Sequence, residues 1–171
     1  GHIHMSKDAF DSAALWKLLQ FHKHQAVFCG AVGGRGTRSG FGSFYGSQGG
    51  TACLTPQQIA ATAKAKKWAL YTNSLGRARD IGYGNRYVAV NLNPEDTIEL
   101  RYPAGTIIPT EIRKNIQWAH ALWSMCTRTS VKQFKHMLEA WQGFMDWLEQ
   151  DKDTYADLIK YINDHVPGDN C

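Results

Sequence analysis

Two runs of β-forming residues, YVAVNL at 87–92 and TIELRY at 97–102, are separated only by Asn93-Pro94-Glu95-Asp96. Turn residues in so short a link make an antiparallel hairpin the simplest connection, so this stretch commits the chain to a sheet. In the second run the period of two puts Ile98, Leu100 and Tyr102 on one face and Glu99 and Arg101 on the other. A carboxylate and a guanidinium on one face of a central strand are costly to bury unless paired or used. They either neutralise each other or face solvent, as half-exposed antiparallel sheets allow, or they line a cleft. In a cleft, Glu99 is a hard oxygen ligand for a divalent cation, and Arg101 is a clamp for carboxylate or phosphate.

Helical periodicity surrounds this hairpin. Phe10, Ala14, Leu15, Leu18, Leu19 and Phe21 predict an amphipathic helix over 8–25, capped by Ser6 or Asp8. Residues 30–50 are glycine-rich without apolar period, which predicts a long loop carrying Arg35 and Arg38. Thr55-Pro56-Gln57-Gln58 is a helix start, predicting a helix over 56–68 with Lys64, Lys66 and Lys67 near its end. After Pro109 the pattern is helical to the end, and three helices are expected, broken near 127–130 and 151–153. Their aromatic stripes are read as core or interface rather than as cofactor boxes.

The 171 residues, 43% hydrophobic and 20% charged, suit one globular domain and exclude a disordered or fibrous chain. No apolar run is long enough to span a membrane, and no signal peptide is visible. Cys29, Cys53, Cys126 and Cys171 lack zinc or disulfide spacing and are read as free thiols in a reducing compartment. A net charge of +4 suits a nucleotide, polyphosphate or acidic surface without requiring one.

At the amino end His2 and His4 alternate, so an extended segment aims both imidazoles to one side, as a metal or phosphate site requires. Gly1 to Met5 read alone as an expression scar. Arg86, beside Gly84 and Asn85, stands where an arginine reaches a polyphosphate lying across the sheet. Together these residues carry a resemblance. Gly-His-Ile-His-Met-Ser at 1–6 resembles the GxHxHxS strand of glutamine synthetases, and Thr-Ile-Glu-Leu-Arg-Tyr-Pro at 97–103 resembles their IExRxP strand. With RYVAVNL at 86–92 between them, residues 1–110 are similar to the carboxyl half of phage-type putative amidoligases. These belong to the glutamine synthetase and glutamate-cysteine ligase superfamily. The resemblance implies that residues 1–5 are native sequence continuing into Ser6.

The resemblance implies an α+β fold: a partial, antiparallel ligase-type sheet over 1–110, followed by a helical carboxyl-terminal region, 111–171, packed on it. It implies an ATP- and Mg²⁺- or Mn²⁺-dependent carboxylate–amine ligase. Such an enzyme forms an acyl phosphate from a carboxylate substrate, and an amine substrate then displaces phosphate to leave an amide. Carried over by position, His2 and Glu99 ligate the metal, and His4, Ser6 and Arg86 contact the nucleotide. Arg86 and Arg101 neutralise phosphate and the substrate carboxylate, a division that suits phosphoryl transfer, where cations and positive clamps hold the developing charge. Arg35 is a weaker candidate for a lid arginine. The implied location is the cytoplasm of a phage-infected bacterium, or a virion.

The family also has a strand with paired metal-binding glutamates. Asp8, Asp11 and Asp80, the acidic residues before the hairpin, form no such pair. The expectation is a fragment of a longer enzyme, a second chain supplying the missing half, or a domain kept without activity. The alternative is a non-catalytic phage virion or assembly protein, homo-oligomeric or bound to virion partners, packing through Trp118, Trp123, Trp141 and Trp147. A third reading is single-strand nucleic-acid binding through Arg35, Arg38, Phe41, Phe44 and Tyr45. It is disfavoured because that loop holds two arginines and no lysine.

Overall fold

The computed structural model describes residues 1–34, 89–92 and 94–166. Its sheet has three antiparallel strands: β1 (Ile3–Ser6), β2 (Val90–Asn91) and β3 (Thr97–Leu100), in the order β1-β3-β2. The hairpin expected from the Asn-Pro-Glu-Asp link joins β2 to β3, while β1 adds on the other side and makes β3 central. Backbone bonds from Lys7 N–H to the Asp96 carbonyl and from Arg101 N–H to the Ala89 carbonyl extend the pairing beyond the strands, at 2.9 Å each.

Register sorts the side chains into two faces. Leu100 stands between Ile3 and Val90, and Met5 opposes Ile98. Ile98, Leu100 and Tyr102 are buried as their alternation requires, with Val90 beside them in the core. Glu99 stands on the opposite face between His4 and Asn91.

The first helix starts later than the sequence suggests. Ser6 leads into a 3-10 turn at Lys7–Ala9, Phe10 is extended, and α1 (Ser12–His24) is capped by Asp11, whose carboxylate accepts the Ala14 N–H at 2.7 Å. Asp11 therefore takes the role expected of Ser6 or Asp8, because its carboxylate is the one seated over a helical N–H. A second helix, α2 (Ala26–Val32), takes in Gly30, so the expected loop does not begin there. Gly34 at φ +74° then turns the chain where a side chain would be strained.

After Ile108 the described residues form four helices rather than three: α3 (Pro109–Arg128), α4 (Val131–Glu139), α5 (Trp141–Glu149) and α6 (Ala156–His165). Pro109 opens α3, and a reciprocal Ser130–Gln133 capping box opens α4. The additional break is at Ala140, which is extended at φ −149° and ψ 139°. It lets α5 fold back on α4 so closely that a Cβ on Gly143 would lie 2.9 Å from the His136 carbonyl oxygen.

The core is one cluster joining sheet and helices. At its centre Phe21, Trp118 and Phe144 pack with centroids 5.2 Å apart for Phe21–Phe144 and 5.6 Å for Trp118–Phe144, and Phe28 stacks on Trp141 at 5.3 Å. Trp118 is thus wholly internal, and Trp123, Trp141 and Trp147 are partly buried against the same core. Buried lysines serve helix ends and the hairpin turn. Lys17 Nζ donates to the Cys126 and Thr129 carbonyls at the end of α3, and Lys114 Nζ to the Val32 carbonyl ending α2. Lys7 Nζ donates to the Pro94 and Glu95 carbonyls of the hairpin turn. Each cation satisfies carbonyls that secondary structure leaves over. Ile107, Ile108, Ile112 and Ile116 are exposed at the start of α3. No described helix is long and apolar enough to cross a membrane.

The expected helix over 56–68, Arg35, Arg38, Phe41, Phe44, Tyr45 and Arg86 lie outside the described residues.

Candidate metal centre

The β1–β3 register builds the site. His4 is opposite Glu99 and Ser6 opposite Thr97, and continuing the pairing sets His2 across from Arg101. Even-numbered residues of β1 and odd-numbered residues of β3 therefore share the face turned away from Ile98 and Leu100. His2, His4, Ser6, Glu99 and Arg101, five of the residues singled out in the sequence, come to this one face.

Glu99 is its hub. Its side chain is only 7% exposed, whereas those of His2 and His4 are 44% and 51% exposed. Oε1 lies 2.8 Å from His2 Nδ1, 2.8 Å from Arg101 Nη1 and 3.9 Å from His4 Nε2. Oε2 accepts the Asn91 Nδ2–H at 2.7 Å. Ser6 is exposed and Arg101 half-buried at the margins of this group.

The neighbours of Glu99 set its charge. Burial alone would raise the Glu99 carboxyl, but hydrogen bonds from Asn91 and Arg101 and the charges of Arg101 and His2 outweigh it and hold it below the ordinary carboxylate range. His2 is shifted down, first by burial and then by Arg101 and the amino terminus, against the pull of Glu99. A depressed imidazole frees its nitrogen lone pair for a metal more readily.

His2, His4 and Glu99 each offer one donor atom, and these lie within 4.8 Å of one another. Two imidazole nitrogens and one carboxylate oxygen suit a first-row transition cation. Mg²⁺ prefers oxygen donors and water. Of the expected ions, the donor set therefore fits Mn²⁺ better than Mg²⁺. Arg101 donates to Glu99 Oε1 through Nη1, and its buried Nε has no partner among the described residues, so the guanidinium is the positive group that an anion at this face would meet.

Other chemistry is less well served among the described residues. Burial pushes the Cys29 and Cys126 thiols up, which makes them poor nucleophiles. Sequence reasoning missed Asn91 and Thr97, which touch Glu99 and His4 directly. For Asn91 the signal was a lone amide inside the apolar run 87–92; Thr97 carried none.

Compared with known proteins, the chain matches no family model, no curated protein and no solved structure. The functional reading therefore rests on the geometry and on the motifs that produce it.

Proposed function

We propose that this chain carries the metal- and nucleotide-binding face of an ATP-dependent carboxylate–amine ligase, an amidoligase of the glutamine synthetase and glutamate-cysteine ligase superfamily. The sheet β1-β3-β2 is then part of that ligase fold. The single observation that carries the reading is the convergence of His2, His4 and Glu99 donor atoms within 4.8 Å, with Arg101 bonded to the same carboxylate.

In this reading His2, His4 and Glu99 hold Mn²⁺, or Mg²⁺ with fewer protein ligands, and Ser6 lies beside the nucleotide. His2, His4 and Glu99 would hold the cation, which would supply positive charge to offset that of the ATP phosphates. Arg101 places its remaining donors on the γ-phosphate or on the substrate carboxylate. A substrate carboxylate oxygen attacks the γ-phosphorus and ADP leaves. The amine then attacks the acyl carbon, phosphate leaves, and the nitrogen gives up a proton as the amide forms. The setting is the cytoplasm of a phage-infected bacterium, or the virion.

The test is calorimetric titration of the protein with Mn²⁺, alone and with ATP. Wild type is expected to bind Mn²⁺ and to bind ATP more tightly in its presence. Glu99→Gln, which keeps shape and removes the charge, is expected to lose at least tenfold in Mn²⁺ affinity. Unchanged Mn²⁺ and ATP affinities in that variant would overturn the reading.

A second reading, a non-catalytic phage virion or assembly protein, is favoured by the exposed Ile107, Ile108, Ile112 and Ile116. The tryptophans first considered for that role contribute to the core instead. This reading expects a mass in solution above that of one chain; a strict monomer counts against it.

A further inference from the structure

The ligand atoms are themselves held by two residues outside the ligand set. We propose that Asn91 and Thr97 are positioning residues that select which atom of Glu99 and which nitrogen of His4 face the cation. This inference rests on the reading of His2, His4 and Glu99 as a metal centre.

A carboxylate has two equivalent oxygens and a soft terminal torsion, so left alone it offers either oxygen to a ligand. Asn91 removes that freedom. Its Nδ2–H donates to Oε2 at 2.7 Å from the strand on one side of β3, leaving Oε1 as the oxygen that faces His2, His4 and Arg101. Cross-strand register makes the contact obligatory, because Asn91 is the direct partner of Glu99. Asn91 is itself only 5% exposed, so its amide is held within the sheet rather than swinging in solvent.

An imidazole poses the same choice between two nitrogens. Thr97 Oγ1 lies 3.1 Å from His4 Nδ1, and this contact turns Nε2 toward Glu99 Oε1. With a cation on Nε2, Nδ1 carries the proton and donates it to the Thr97 hydroxyl oxygen. Such an outer partner fixes both ring orientation and tautomer. Thr97 is two residues before Glu99 on β3, on the same face, so one strand supplies a ligand and the partner of another ligand.

Co²⁺ is the probe, because its visible absorption reports the number and type of its ligands. Wild type, Asn91→Leu, Thr97→Val and Thr97→Ser are titrated with CoCl₂, with circular dichroism confirming the fold of each. Wild type is expected to give a saturable visible band. Asn91→Leu and Thr97→Val are expected to weaken Co²⁺ binding by about 10-fold or more and to change the band shape, while Thr97→Ser restores both. A purely structural role would lower thermal stability without moving the band of the folded variant. If Asn91→Leu fails to fold, the Thr97 pair decides the matter alone. Wild-type affinity and spectrum in Thr97→Val overturn the positioning role while leaving the metal centre standing. Absence of Co²⁺ binding to wild type overturns the metal centre and the positioning with it.

Discussion

His22 makes the stability of this fold depend on pH in a calculable way. It is fully buried in α1. Its Nδ1–H donates to the Leu18 carbonyl at 2.8 Å, since a carbonyl can only accept. Nε2 therefore accepts the Tyr102 hydroxyl at 2.8 Å, and the Tyr102 oxygen accepts Trp118 Nε1–H at 2.6 Å. A second proton on the ring would point a donor at a hydroxyl already donating to it. Burial lowers the His22 pKa from the ordinary 6.5 to about 4, against a small upward pull from Leu18. The folded state thus binds fewer protons than the unfolded one. The stabilisation is present above the unfolded value and is lost as pH falls through 6.5 toward 4. The loss is roughly 2 kcal/mol at about pH 5 and roughly 3 kcal/mol at about pH 4, and it levels off just below the folded value. The assay is urea unfolding of wild type and His22→Gln across that range, where carboxylate contributions common to both proteins cancel in the difference. Wild type is expected to lose about 2 kcal/mol more than the variant between about pH 8 and about pH 5. Parallel stability curves would refute both the neutral His22 and the proton assignment along the His22–Tyr102–Trp118 chain.

Tyr102→Phe, examined at neutral pH, removes the acceptor of the buried Trp118 N–H and the donor to His22, and is expected to cost about 2–4 kcal/mol in urea unfolding. At the metal centre, Glu99→Gln is expected to lower Mn²⁺ affinity at least tenfold by calorimetry, with circular dichroism checking the fold, because Gln keeps the volume and one acceptor oxygen for Arg101 or Asn91 but turns a donor N–H₂ toward the other. Thr97→Val is expected to weaken Co²⁺ binding with Thr97→Ser restoring it, as visible titration reads directly. Light scattering across a concentration series decides between a chain that self-associates through the isoleucines at the start of α3 and one that remains single.

Much of the site was legible because strands alternate. His-x-His and Glu-x-Arg each place two chemical groups on one side wherever the strand lies, so the pairing of Glu99 with Arg101 followed from local geometry. The cap of α1 was less legible: Ser6, Asp8 and Asp11 are all capable residues, and only the path of the 3-10 turn seats Asp11 over the helix. The break at Ala140 was hidden for a related reason. Alanine is the best helix former, and what interrupts the helix is the packing of α5 on α4 through Gly143.

The hairpin, the two-faced character of β3 and the helical carboxyl-terminal region could be read from residue order, since each depends on periodicity within a few residues. Long-range packing is what pairs β1 with β3 across more than ninety residues of chain, His4 meeting Glu99, and sets Asn91 rather than a neighbour on the other side. A slip of one residue in either pairing would turn every side chain of that strand to the opposite face, sending His4 or Asn91 into the core. Burial of Ile3, Met5 and Val90 against Ile98 and Leu100 selects the register, and the polar groups on the other face are brought together as its consequence.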